Sequence, residues 1–257
     1  MTSARRPPRV WLGLLPFGVV AVIWWVIPQA LEYPAYMLPA PDKVLERYLD
    51  LLVSGDLWMH TAQSLRRLAT GFVLGNALAL IIGIGIASNR DLAAFLSPTL
   101  TFLQSIAGVA WVPLAIIWFG SGNGAVLFVV TNAIFFSCLN NAVVGVQQIP
   151  NVLYRAARSN GANSLQVLRE LVLPGALVQI IVGLRTSLAY GWRALVAGEM
   201  IASAKGLGTM TFEAIQWYQT ATVISGMITI GLIWLLLDRL IFRELEKRTV
   251  RRWGMLR

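Results

Sequence analysis

Six long apolar runs divide this chain: Val10 to Ala30, Leu68 to Ala87, Leu92 to Phe119, Ala125 to Val146, Ala176 to Val196 and Val223 to Ile241. A spanning helix needs roughly 20 apolar residues. Inside hydrocarbon every backbone N–H and C=O must find a partner within the protein, so such runs are helices or strands of a closed barrel. The short-period alternation of a barrel strand is missing, which leaves helices. Composition agrees, with 57% hydrophobic and 13% charged residues against about 25% charged in a soluble domain. A long soluble core is thereby set aside. The expected fold is an all-α polytopic membrane protein, one transmembrane domain over residues 1–257 with about six transmembrane helices. The first run is too long, and too far from a small-residue cleavage site, to be a cleaved signal peptide. The third holds Pro98 and Pro113 and is expected to be kinked or tilted.

Threading six spans from a cytoplasmic N-terminus places Arg5, Arg6, Arg9, Arg90, Arg155, Arg158, Arg169, Arg185 and the basic tail beyond Arg239 inside. Lys43, Arg47, Arg66, Arg67, Arg193 and Lys205 fall outside. Cytoplasmic loops collect Lys and Arg, so both termini are expected in the cytoplasm. The net charge of +9 is then a topological signal. A nucleic-acid surface would gather its basic residues on one face, and here they are scattered over short loops. Cys138 stands alone in an apolar run, so neither a disulfide framework nor a CxxC metal pair is available. His60, the single histidine, is read as a surface residue of the outer loop; alone it makes no zinc site.

The segment 147–174 between the fourth and fifth runs is polar and helix-prone. Asn151 to Ser159 reads as a short helix, Asn160-Gly161 as a turn with an unusual backbone at Gly161. Asn163 or Ser164 can cap a second short helix through Leu171. Pro174 then opens the fifth span in its first turn, where a missing N–H does no harm. Small residues at Ala156, Ala157 and Gly161 would let another protein come close. Two readings stand side by side on the residues alone: a docking knob for a soluble partner, and an amphipathic loop lying on lipid.

The stretch "RAARSNGANSLQVLRELVLPGA" resembles the cytoplasmic loop of ABC importer permeases: Glu-Ala-Ala, three residues, Gly, nine residues, Ile, two residues, Leu-Pro. Ala156, Ala157, Gly161, Leu171 and Leu173-Pro174 occupy those positions. Arg155 stands where the pattern has Glu, and Val178-Gln179 where many members have Pro. "SIAGVAWVPLAIIWFG", "GWRALVAGEMIASAKGLG" and "MITIGLIWLLLDRL" are similar to the branch that moves nitrate, sulfonates, taurine and related solutes. The resemblance runs from about residue 10 to 250. It implies a type I permease-like bundle whose ATPase-coupling loop comprises Tyr154, Arg155, Ala156, Ala157, Arg158, Gly161, Ala162, Leu173 and Pro174. It also implies a second permease copy forming a homodimer, two ABC ATPase subunits carrying ATP and Mg, and an extracytoplasmic substrate-binding protein. This chain has no GxxxxGK[ST] loop; "GSGNG" (120–124) and "KGLG" (205–208) are read as outer turns, and no cofactor is expected on it. The resemblance further implies a membrane transport subunit, not an enzyme, in the bacterial inner membrane.

Polar residues inside apolar runs are costly and tend to be functional. Trp111, Asn132, Asn140, Trp192, Arg193 and Glu199 are therefore candidates for a translocation path, Arg193 as a cation for an anionic solute and Trp192 as a wall. The competing readings are interface residues (Arg193, Glu199, Trp111) and helix-to-helix hydrogen bonds (Asn132, Asn140, Asn141). Gly71 to Gly75 is a small-xxx-small packing seam. Residues 39–55 are amphipathic and read as a helix on the outer membrane surface or as part of a platform for a binding protein. An intramembrane enzyme would need paired carboxylates, a His cluster or a Ser-Lys dyad at depth. A channel or secondary transporter would leave the 147–174 loop unexplained.

Overall fold

The computed structural model describes residues 10–30, 34 and 36–242. The terminal basic segments, with Arg5, Arg6, Arg9 and the tail from 243 onward, lie outside the described residues. Every regular element among the described residues is helical. α1 (Val10–Ala30) is followed by the short α2 (Pro41–Val53), started by a proline in its first turn, where no N–H is needed. α3 (Asp56–Ala87) is 32 residues long, about 48 Å at 1.5 Å per residue. It begins twelve residues before the apolar run starts, so His60, Arg66 and Arg67, expected in an outer loop, are helical.

The third apolar run does not form one rod. α4 (Arg90–Ser105) and α5 (Val112–Phe119), the latter led by a 3₁₀ turn at Gly108–Trp111, meet at 87°. The break falls at Ile106 and Ala107, whose backbones are extended. It lies between the two prolines rather than at either one. α6 is Asn123–Gln147 and α7 is Asn151–Ser159. α8 (Ser164–Gln166), a π-helical segment Val167–Val172 and α9 (Leu173–Ala202) form a continuous rod of 39 residues. α10 (Leu207–Gln216) and α11 (Thr220–Leu237) complete the chain.

Neighbouring helices fix the direction of each crossing. On α3, Gly71, Gly75 and Gly83 face Val130, Ile134 and Ala142 of α6. Both series rise together, so α3 and α6 run parallel. On α9, Gly183, Gly191 and Gly198 face Asn141, Ile134 and Val126, so α9 runs the other way. A chain that leaves α3 at one end and enters α6 at the opposite end must cross between them. The bent α4–α5 pair is therefore a crossing and not a loop that turns back. With the four helices long and apolar enough to span, it gives five crossings, and α1 supplies the sixth apolar run.

Small residues let these backbones approach, the usual basis of helix association in lipid. A Cβ on Gly75 would lie 2.8 Å from Ile134 Cγ2 and 2.9 Å from the Thr131 carbonyl. The 71–75 seam is thus used within the chain, against α6. The large core holds Leu68, Val112, Val126, Val130, Ile134, Trp192, Leu195 and Leu207. A separate small core of Val146, Ile149, Val172, Ala176 and Ile180 lies where α6 ends and α9 begins.

α2 departs from the expected surface helix. Val44 and Leu51 are buried, with Tyr48 and Leu52 packed on the large core, and Arg47 Nε donates to Thr222 Oγ1 of α11 at 2.9 Å. Its main apolar face is spent on the bundle, leaving Leu45, Leu49 and Val53 exposed along a second edge.

Candidate functional site: a loop knuckle and a buried ion pair at opposite ends

The 147–174 segment folds as a rigid corner. At the end of α7 the Ala162 N–H donates to the Ala157 carbonyl and the Gly161 N–H to the Arg158 carbonyl, with Gly161 at φ +81°. This is the paired capping that ends a helix on a left-handed residue. Two residues on, Asn163 accepts from the Gln166 N–H at 2.9 Å, and the Gln166 side chain accepts from the Asn163 N–H at 2.8 Å. Such a reciprocal box satisfies two otherwise orphaned donors. The corner has no free hinge between α7 and the rod that follows.

Pro174 does not open a fresh helix as expected. Helical backbone continues through Val172 and Leu173, and the turn before the proline widens to π geometry. A proline inside a helix clashes with the carbonyl four residues back, and a π bulge relieves it. The second arm of the corner and the fifth span are one rod.

α7 has two faces. Val152, Leu153, Ala156, Arg155 and Arg158 are exposed. Tyr154 and Ala157 are half-buried on the side of the chain's own bundle, and Tyr154 packs on the small core. Partial burial pushes the Tyr154 phenol above its ordinary range. Ala157, expected with Ala156 on a face open to another protein, belongs to the inner side; Ala156 carries the outward one. Leu173 is exposed, Ala162 and Pro174 half-buried. Between this corner and the adjoining ends of α3 and α4 lies an open cavity of about 1760 Å³. Arg155, Arg158, Ser88, Ser97 and Gln147 line it together with apolar residues of α3.

At the opposite end α9 carries Glu199, fully buried in its last turns. Three donors converge on that carboxylate. Arg67 Nη1 lies at 2.5 Å, Ser64 Oγ at 2.8 and 2.9 Å from the two oxygens, and the Gly208 N–H at 2.9 Å. The rest of the Arg67 guanidinium is used as well: Nε donates to Asn123 Oδ1 at 2.6 Å and Nη2 to the Lys205 carbonyl at 2.5 Å. Ser64 also accepts from the Leu207 N–H at 2.9 Å. α3, α6, α9 and the start of α10 are tied at one point. "KGLG" is more than a turn. A Cβ on Gly206 would collide with the Glu199 carboxylate, and one on Gly208 with the Val196 carbonyl, so Gly206 admits the carboxylate and Gly208 lets the chain close against α9. Removing one partner of such a buried pair costs roughly 3–5 kcal/mol.

Glu199 is thus bonded inside its own chain, at neither an interface nor an open path. Trp192, expected as a cavity wall, is 5% exposed within the large core. Arg193 is exposed, with its guanidinium 5.8 Å from the Tyr190 ring centroid. Trp111 is half-buried and edge-on to Phe128, and its Nε1 is buried with no partner. Asn132 is half-buried and Asn140 exposed, while Asn141 joins α6 to Thr186 of α9 at 3.3 Å. Sequence reasoning missed Arg67 and Ser64. Their signal was Glu199 itself, since a carboxylate in an apolar helix requires a cation at the same depth.

The rigid corner, the parallel α3–α6 pair and the rod through α9 define a polytopic transport subunit. The chain belongs to the family of binding-protein-dependent transport system inner membrane components, whose profile matches residues 75–248. It is similar to the taurine transport system permease protein TauC of Escherichia coli (strain K12), at 33% identity covering 93% of this chain and 89% of the relative. It is similar also to the putative aliphatic sulfonates transport permease protein SsuC of Bacillus subtilis (strain 168), at 32% covering 97% and 91%. The riboflavin transport system permease protein RibX of Chloroflexus aurantiacus is 36% identical, covering 90% of each chain. Among solved structures, a chain of the inward-facing MetNI methionine ABC transporter superposes with a TM-score of 0.55 at 22% identity, covering 77% of this chain and 98% of that one. The bundle is therefore that of an ABC importer permease, a multi-pass inner-membrane transport subunit. Permeases of this class work with ATPase subunits, where ATP is held, and with a substrate-binding protein.

Proposed function

We propose that this permease imports a small organic sulfonate such as taurine, as a homodimer with two ATPase subunits docked on α7 and its corner. Identity of 32–33% over nearly the whole chain to taurine and sulfonate permeases carries the solute assignment. Arg193, an exposed cation in the last third of α9, supports an anion. It is the path residue of choice, with Trp111, Asn132 and Asn140 beside it as polar candidates. In this reading ATP closes the ATPase dimer and α7 moves with it. The corner passes that motion without slack to α9, and the bundle exchanges one facing for the other. A ligand or partner shifts such a two-state equilibrium only through differential contacts with the two states. α7 provides them, while this chain makes and breaks no covalent bond. Both termini lie in the cytoplasm, on the side of α7.

Reconstitution tests the assignment. In liposomes containing the permease, its ATPase and its binding protein, uptake of labelled taurine is expected to require ATP. Arg193→Ala is expected to lower uptake about tenfold while ATPase binding is unchanged, the loss of one charge-assisted contact. Uptake without ATP would instead mean a channel or secondary transporter, and full uptake by Arg193→Ala would remove Arg193 from the path. Orientation has its own check. A cysteine at exposed Ser203 is expected to react with an impermeant thiol reagent in intact spheroplasts, and one at Ser159 to be shielded. The reverse pattern would invert the threading.

A further inference from the structure

Import driven from α7 needs a fixed point against which the rod can turn, and this inference rests on that importer reading. The 39-residue rod Ser164–Ala202 has one end in the small core and the other in the Arg67–Glu199 cluster. Between those ends it meets α6 through Gly183, Gly191 and Gly198, with α6 answering through Gly145 against Ala176 and Gln179. Among the described residues no buried ion pair lies along this seam; the rod's buried pair is at its far end.

We propose that Arg67 and Glu199 are positioning residues for transport. They pin the far end of α9, so that displacement of the rod at α7 becomes a tilt of the bundle instead of a slide. Geometry favours a pin over a general brace. The carboxylate is met by three donors from two helices, Arg67 and Ser64 of α3 and the Gly208 N–H of α10. Every nitrogen of the guanidinium is used, on Glu199, Asn123 and the Lys205 carbonyl. A planar fork held on three sides admits rotation of the whole cluster but no translation of one member. A buried ion pair separates only at large cost. Without the pin the loop would move, ATP would be consumed, and the far end would not follow.

The test uses the complete complex of permease, ATPase and binding protein in liposomes, reading solute carried per ATP hydrolysed. Arg67→Met combined with Glu199→Gln leaves no unpaired buried charge. It is expected to keep ATPase capture and hydrolysis while lowering solute per ATP about tenfold. A merely structural role would lower the amount of assembled complex and leave that ratio alone, so a normal ratio overturns the proposal. A second measurement does not depend on that variant folding. Ser121→Cys and Lys205→Cys flank the cluster with exposed side chains; Lys205 joins it only through its backbone carbonyl, which the substitution keeps. Joining them with a short bis-maleimide is expected to leave transport at the rate of the unlinked complex, because the two sides of a pin never part. Arrest of transport on linking overturns the proposal, since those sides would then separate in each cycle. Failure of the unsubstituted chain to bind an ATPase sinks the importer reading instead.

Discussion

Gly161→Val is expected to yield a permease that inserts and dimerises, captures its ATPase at least about tenfold more weakly, and transports little. Gly161 sits at φ +81°, where a β-branched residue is opposed by its own Cβ. A non-glycine residue held in that region costs of order 1–3 kcal/mol. The bundle does not feel this, because a Cβ at Gly161 meets no atom within 4 Å. The strain falls on the corner alone. Relaxing it breaks the bonds from Ala162 to Ala157 and from Gly161 to Arg158, which set α7 against the rod. Since about 1.4 kcal/mol is tenfold in affinity, a misdirected α7 is enough to weaken docking. Ala156→Arg is the companion variant. It adds bulk to the outward face of α7 and leaves the corner intact, and it should give the same phenotype. Pull-down of the ATPase with purified permease and ATP-dependent uptake are the measurements. Normal capture by both variants would reduce the corner to a connector.

The opposite phenotype is expected for Gly75→Leu, namely loss of the folded chain itself. At that crossing one neighbour is the Thr131 carbonyl, 2.9 Å from a Cβ. Backbone cannot step aside as a flexible side chain can, so α3 and α6 must separate. Separation also opens the contacts of Gly71 with Val130 and of Gly83 with Ala142. Overpacking of a tight site costs about 1–3 kcal/mol, occasionally more, and in lipid close packing is itself the main attraction between helices. Monodisperse protein after detergent extraction should fall several-fold, with a lowered unfolding temperature. Gly85, ten residues further along the same helix, has open space around it, and Gly85→Leu should behave as the unsubstituted chain. Equal behaviour of the two variants would mean that α3 and α6 are not held at this seam.

The apolar runs were legible because hydrocarbon leaves the backbone one solution, and the loop because its punctuation is local. Asn160-Gly161 specifies a left-handed end and Asn163-x-x-Gln166 a capping box whatever surrounds them. Boundaries set by pairing were not legible. Residues 56–67 look like a polar loop until Glu199 supplies Arg67 with a partner 132 positions away, after which α3 can extend through them. The break at Ile106–Ala107 is marked locally only by the Gly108 that follows it, and the prolines of the run lie elsewhere in it.

The sequence by itself determined that the chain crosses a membrane as helices, and where its one polar knuckle lies. Both follow from free energies that act over neighbouring residues: apolar transfer, backbone satisfaction and the left-handed preference of glycine. Only the tertiary structure decided that Glu199 and Arg67 neutralise each other, that "KGLG" opens space for a carboxylate, that Trp192 belongs to the core, and that the second arm of the corner and the fifth span are a single rod. A buried charge is tolerable only where its partner arrives in space, and a glycine's need is set by the atom facing it. Those facts belong to the packing of helices, and no local stretch of the chain contains them.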